Sequence, residues 1–378
     1  MRRFYLLDVA RGLASLAVVV WHYQHFYYVG TDGLVASFER SQQPFYPALS
    51  LLYNEGSRAV YLFFVLSGFI FFHVYFDAVR RGKIGPQDFT LLRFSRLYPL
   101  HLATLLFVAV LQAVSFKESG HYIVYSCNNV RRFILNLAFA SDWLPESVRC
   151  TTSFNGPVWT LSNEVFLYGT FFLVAFATSR KWLVPTCMAI VAGAGLVQAL
   201  DGFHLFGEPL ACFYIGALCY FIWEHLDWRT AAALAIMTLI GGATYLYQNG
   251  FAGNELVLDA AVFPALVLLL AALQVRGPDW GKALRVVGDI TYSTYLLHFP
   301  VTLAIILAIN TKIIPAIDFS SRLVWILFFT LVIVVSMASY YLFEAPVERR
   351  IRSWWKAYRS GSRRSDKLTN PQVTSSDA

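Results

Sequence analysis

The chain has 378 residues, 57% of them apolar and only 14% charged, with a formal net charge of +7. That composition excludes an ordinary water-soluble enzyme and a disordered chain, because the apolar residues fall in blocks of about the ~20 that a helix needs to cross a bilayer. The basic surplus follows a membrane-topology pattern, set out below, and gives no ground for a nucleic-acid partner.

Ten apolar blocks lie near residues 6–28, 58–77, 96–116, 157–178, 182–200, 205–223, 229–247, 255–275, 289–309 and 322–343. They predict an all-α polytopic membrane protein of about ten transmembrane helices, with a transmembrane domain over residues 1–350. Residues 351–378 form a basic cytoplasmic tail, expected to be disordered from about Ser360 onward. With the N-terminus inside, 21 of the 30 Lys and Arg residues fall on the cytoplasmic side and eight outside, Arg11 being the remaining one. Both termini are therefore expected in the cytoplasm.

The first block holds two residues that do not belong in lipid. Arg11 and His22 are separated by ten residues, and eleven steps of ~100° bring them to the same helix face, roughly 16 Å apart along the axis. Intramembrane charge points to function by default, although alone Arg11 can snorkel and His22 can bond a neighbouring helix. The block does not read as a cleaved signal peptide, since Asp8 and Arg11 interrupt it and no small-residue cleavage site follows. Residues 41–54 are apolar yet too short to span, which suggests an interfacial or re-entrant element.

In the second block Ser67 and Gly68 form a small pair that lets another backbone approach, a packing notch. The third is expected to open at Arg93 and Arg96, one turn apart at a cytoplasmic helix start. There arginine forks and free amides favour phosphate oxygens, and the plainer reading is a pair of topology anchors. The longest outer loop, 117–156, holds Cys127 and Cys150, which are suited to a disulfide. The fourth block opens at Pro157 and carries Glu164 about two turns in, roughly 9–10 Å below the outer face. His22 reaches a similar depth, so a general base with a carboxylate partner is expected there, though a structural hydrogen bond reads the same way. Blocks five and six make a tight hairpin. In the ninth, Tyr295 and His298 lie within one turn of each other, and Glu344 to Arg350 reads as a helix terminus. The eight His are scattered, with no metal-ligand spacing.

The Arg-x10-His helix, the Phe63-Phe-Val-Leu-Ser-Gly-Phe block, Arg93-x-x-Arg96-Leu-Tyr-Pro, Trp159-Thr-Leu-Ser-x-Glu164 and Tyr292-Ser-x-Tyr-Leu-Leu-His298 together resemble acyltransferase family 3, in that family's order. The resemblance covers about residues 4 to 350. It implies ten helices and transfer of an acyl group, usually acetyl, from cytosolic acyl-CoA to a hydroxyl. Typical acceptors are surface polysaccharides, lipopolysaccharide, peptidoglycan, lipo-oligosaccharides or macrolides. His22 and Arg11 match the family's essential pair, and Arg93 and Arg96 its cytoplasmic arginine motif.

The expectation is a multi-pass O-acetyltransferase of the plasma membrane, a bacterial inner membrane, acting on a cell-surface or exported glycan or glycolipid. Acyl-CoA phosphates would rest on Arg11, Arg93 and Arg96. His22 would serve as general base or transient acyl carrier, with Glu164 setting its tautomer. No metal is expected, and the sequence leaves the acceptor and oligomeric state open. The rival readings are a secondary transporter, which also buries His, Glu and Arg, and a partner in glycan export.

Overall fold

The Tyr5–His22 α-helix begins directly after Phe4 and continues as a 3₁₀ turn to Tyr27. This is a computed structural model, and it describes residues 3–28, 38–141, 143, 153–199, 204–251 and 253–369. Among the described residues, ten helices are long and apolar enough to cross a membrane. They are α1 (Tyr5–Tyr27), α2 (Tyr46–Arg80), α3 (Pro86–Ser119), α4 (Gly156–Ala177), α5 (Arg180–Gln198), α6 (Phe206–His225), α7 (Trp228–Asn249), α8 (Glu255–Arg276), α9 (Thr291–Asn310) and α10 (Arg322–Ser360). Each of the ten expected blocks falls in one of them, and the fold is that of an all-α polytopic membrane protein.

Two close crossings set the frame. A Cβ on Gly68 would lie 1.8 Å from the Phe213 carbonyl, and one on Gly216 would lie 2.0 Å from that of Val65. The expected notch on α2 is thus reciprocated on α6, and the two backbones touch as small residues permit. Similarly, Gly12 on α1 meets the Val287 carbonyl and Gly288 meets Asp8, which seats α1 against the short Arg285–Asp289 helix. Phenylalanines 64, 69, 72, 171 and 213 fill the core between α2, α4 and α6. α5 and α7 lie outside it, with exposed Trp182, Met188, Leu196, Met237 and Ile240, as lipid-facing residues would be. α7 starts where the Asp227 side chain accepts from the Arg229 and Thr230 amides. Bonds from the Thr230 hydroxyl and those amides hold this loop carboxyl below its usual range.

Several boundaries differ from expectation. Residues 46–55 are helical and join the spanning part of α2 through a 3₁₀ turn at Gly56–Arg58, where Gly56 packs on the Ala17 carbonyl. α3 starts at Pro86, not near Arg93, because Gly85 and Pro86 form the entry and Asp88 complements the first turn. Arg93 therefore sits about two turns inside the helix, roughly 10 Å from its start, and the free amides expected beside it are elsewhere. The helix of α10 runs on to Thr369, past Ser360, while residues 370–378 lie outside the described part. Cys127 is disulfide-bonded, and Cys150 lies outside the described residues.

Two spanning helices carry π-turns, at Leu258–Val262 and Tyr340–Glu344. Each is followed two residues later by a proline, Pro264 or Pro346. A proline has no N–H for the carbonyl four residues back, and an i→i+5 register next to it absorbs the mismatch. Each π-turn carries a buried carboxylate, Asp259 at 2% exposure and Glu344 at 6%. Asp259 and Glu208 both accept from Arg58, which also lies 4.1 Å over the Tyr61 ring. Removing the cation leaves two carboxylates facing each other in a half-buried site. Arg58→Met is expected to cost about 3 kcal/mol, read as a lower melting temperature in detergent, and Arg58→Met with Asp259→Asn should recover part of it.

Candidate active site

Three helices carry polar stripes that run beside one interior channel. On α1 the stripe runs Asp8, Arg11, Ser15, His22, spacings that keep one face. On α9 it runs Tyr292, Tyr295, His298, and on the antiparallel α4 it runs Tyr168, Glu164, Thr160 in the same direction. α3 contributes Arg93 and Arg96, and α2 contributes Ser67 and Ile70.

The channel has two parts. An outer vestibule of about 310 Å³ opens between Arg3, Asp8, Asp289, Glu344 and Glu348. An inner chamber of about 120 Å³ lies beyond, walled by Glu164, Tyr168, Tyr292, Tyr295 and Thr160. Arg11, Arg93 and Arg96 line both and so stand at the junction. The inner end closes on the Tyr295 hydroxyl, 3.0 Å from Thr160 Oγ1 and 3.2 Å from the Pro157 carbonyl. One turn further along α9, His298 Nε2 lies 3.3 Å from His22 Nδ1.

The three junction arginines are not equivalent. Arg11 donates to Asp8, and Arg3 bridges Asp8 and Asp289 at 2.6 Å each. Arg93 donates to the Tyr75 hydroxyl and lies over the rings of Phe71, Tyr75 and Tyr168 at 5.1, 4.7 and 5.8 Å. Arg96 has no hydrogen-bond or ion-pair partner among the described residues, although Glu164, Glu344 and Glu348 lie within electrostatic reach. The vestibule as a whole is charge-balanced, with four arginines and four carboxylates. Arg96 is the guanidinium free to take an incoming anion.

The expected partnership of His22 with Glu164 is not what the structure holds. Glu164 lies beside Tyr168 in the chamber wall and faces Arg96, Arg93 and Arg11. His22 instead meets His298 and the Val18 carbonyl, 3.0 Å from its Nδ1. Counting residues from a helix start fixes depth only to about a turn and says nothing of azimuth. On the α4 stripe it is Thr160, one turn, or roughly 6 Å, beyond Glu164, that bonds to α9, through the Tyr295 hydroxyl. Arg11, Arg93 and Arg96 do converge, as expected.

Glu344 was read as part of a terminus. The π-turn places it inside the vestibule wall, accepting from Ser293 Oγ at 2.8 Å. Its signal in the sequence is an acid two residues before a proline within an apolar run. His298 carried a signal too, in its spacing from Tyr295, but nothing local tied it to His22, 276 residues away.

The fold and the site define a helical membrane protein with a charged vestibule, an arginine-lined junction and, beyond the closed inner chamber, a contact between a half-buried His22 and a buried His298. The acyltransferase domain family matches residues 4–341, so the chain belongs to that family and is a membrane acyltransferase. Among its relatives, it is 39% identical over 187 residues to "Protein 2 in picA locus" of Rhizobium radiobacter, covering 48% of this chain and 82% of that one. It is 27% identical over 288 residues to "Acyltransferase MdmB" of Streptomyces mycarofaciens, covering 67% and 70% respectively. No solved structure matches it.

Proposed function

We propose that this acyltransferase moves an acetyl group from cytosolic acyl-CoA to a hydroxyl of a cell-surface or exported glycan, working in a bacterial inner membrane. The vestibule end is then cytosolic, as the loop basic residues favour. The observation that carries the reading is the junction, where Arg96, without a partner among the described residues, stands with a committed Arg11 and Arg93 between the vestibule and a narrow chamber. Guanidinium forks suit the phosphates of the donor, while a narrow chamber admits a slim pantetheine arm and not a bulky solute.

The donor's phosphates rest on Arg96 with Arg11 and Arg93 behind it, and the arm runs along the α1 stripe past Glu164 and Tyr295. Glu164 acts here as the counter-charge that keeps three arginines together, a role nearer to positioning than to acid–base chemistry. At the far end His22 takes the proton of the acceptor hydroxyl as its oxygen attacks the thioester carbonyl. The C–S bond breaks, and His22 returns the proton to the leaving thiolate. Direct transfer suffices for this geometry. The relative named as an acyltransferase supports the reaction class without defining an acceptor.

The test uses purified protein in nanodiscs with acetyl-CoA labelled on the acetyl group. Saturable binding and release of free CoA, accelerated by an exported glycan fraction, are expected. If neither acetyl-CoA nor longer acyl-CoAs bind or turn over, the donor assignment is lost, and proton-coupled flux without any acyl donor becomes the reading to pursue.

A further inference from the structure

We infer that His298 is the positioning residue for His22, so that the base is the Nε2 of a neutral histidine pair and not of a histidine–carboxylate pair. This rests on the acyl-transfer reading above. Carbonyl oxygens only accept, and each ring presents its Nδ1 to one: His22 to Val18 at 3.0 Å, His298 to Thr294 at 3.1 Å. Both Nδ1 atoms therefore carry hydrogen, a tautomer assignment made from the bonding pattern.

The direction of the contact between the rings follows. A neutral His298 with hydrogen on Nδ1 has a bare Nε2, and that atom faces His22 Nδ1 at 3.3 Å. The His22 Nδ1–H is thus shared between the Val18 carbonyl and His298 Nε2. The opposite direction requires a doubly protonated His298 and leaves the Val18 carbonyl facing a bare nitrogen. With its hydrogen on Nδ1, neutral His22 keeps a lone pair on Nε2, the atom available to a hydroxyl.

The other neighbours do not offer this service. The Trp21 and His25 rings pack on His22 at centroid distances of 4.7 and 5.0 Å. His25 Nδ1 is buried with no partner, so it contributes packing and not a hydrogen bond to His22. When His22 Nε2 accepts the hydroxyl proton, the imidazolium's Nδ1–H meets two acceptors already in position. A neutral acceptor supplies that stabilisation without the cost of burying a carboxylate among Trp21, His25 and Tyr295. A bond that is long in the resting state shortens when charge develops.

The test compares His298→Leu with His298→Gln, whose amide oxygen can again accept from His22. Expected are a fall in kcat on the order of 10²-fold for His298→Leu, unchanged acetyl-CoA affinity in both, and partial recovery in His298→Gln. A role in packing alone predicts equal losses in the two variants, or a loss of donor affinity, and either result would overturn the inference. So would wild-type kcat in both variants while His22→Ala is inactive, an outcome that leaves the acyltransferase reading intact. Independently of turnover, ¹⁵N NMR of histidine-labelled wild type, with His22→Gln for assignment, should show His22 protonated at Nδ1 and bare at Nε2. A signal protonated at Nε2 refutes the pair arrangement even if His298→Leu cannot be recovered folded.

Discussion

His22→Ala should abolish acyl transfer while leaving acetyl-CoA binding at wild-type strength. The two functions separate in this proposal because the histidine and the arginines lie apart. Arg11 and His22 lie roughly 16 Å apart along α1, and the arginines proposed to meet the donor's phosphates line the vestibule junction, which His22 does not. Removing a general base costs about 10²- to 10⁴-fold in turnover. Truncating the imidazole also deletes packing against Trp21 and His25, so His22→Gln, which retains bulk, is the cleaner companion and should lose a similar factor. Isothermal titration with acetyl-CoA and release of labelled acetate or ester measure the two quantities on the same preparation. If His22→Gln keeps substantial turnover, the base lies elsewhere. If instead donor binding falls with turnover, the thioester end of the donor reaches His22 in the ground state and contributes binding there.

What the sequence made legible was periodic, and what it hid was azimuthal or long-range. Ten spans are readable because lipid demands ~20 apolar residues per crossing. The α1 stripe was readable because helix geometry alone puts Arg11 and His22 on one face. The arginines of α3 were found, yet their helix start was misplaced by about two turns, since Gln87 and Asp88 hide the entry at Pro86 behind polar residues. The sequence places Glu164 on the right helix and beside the wrong partner, because its angular position depends on how α4 packs against α2. Glu344 and Asp259 were hidden by π-turns, which shift every following side chain off the 3.6-residue pattern. The Arg58, Glu208 and Asp259 cluster joins residues 150 and 201 positions apart, and no local pattern announces such a meeting.

The uneven commitment of the junction arginines leads to the second large effect, on donor affinity. Arg96 is the member with no partner to give up, so a phosphate gains its full charge-assisted contact. Such a bond contributes about 1.5–3 kcal/mol, and Arg96→Ala is therefore expected to weaken acetyl-CoA binding by about 10- to 150-fold. Turnover at saturating donor should stay near wild type, since Arg96 touches neither the thioester nor His22. Arg96→Lys keeps the charge but loses the fork and should recover only part of the affinity. Arg93→Ala should behave differently: it strips the cation from Phe71, Tyr75 and Tyr168, so thermal stability falls together with binding. Titrating CoA and dephospho-CoA alongside acetyl-CoA would show whether the contact is with the ribose phosphate or the diphosphate. An Arg96→Ala protein that binds acetyl-CoA as tightly as wild type would remove the phosphate from this junction, and with it the proposed direction in which the donor enters.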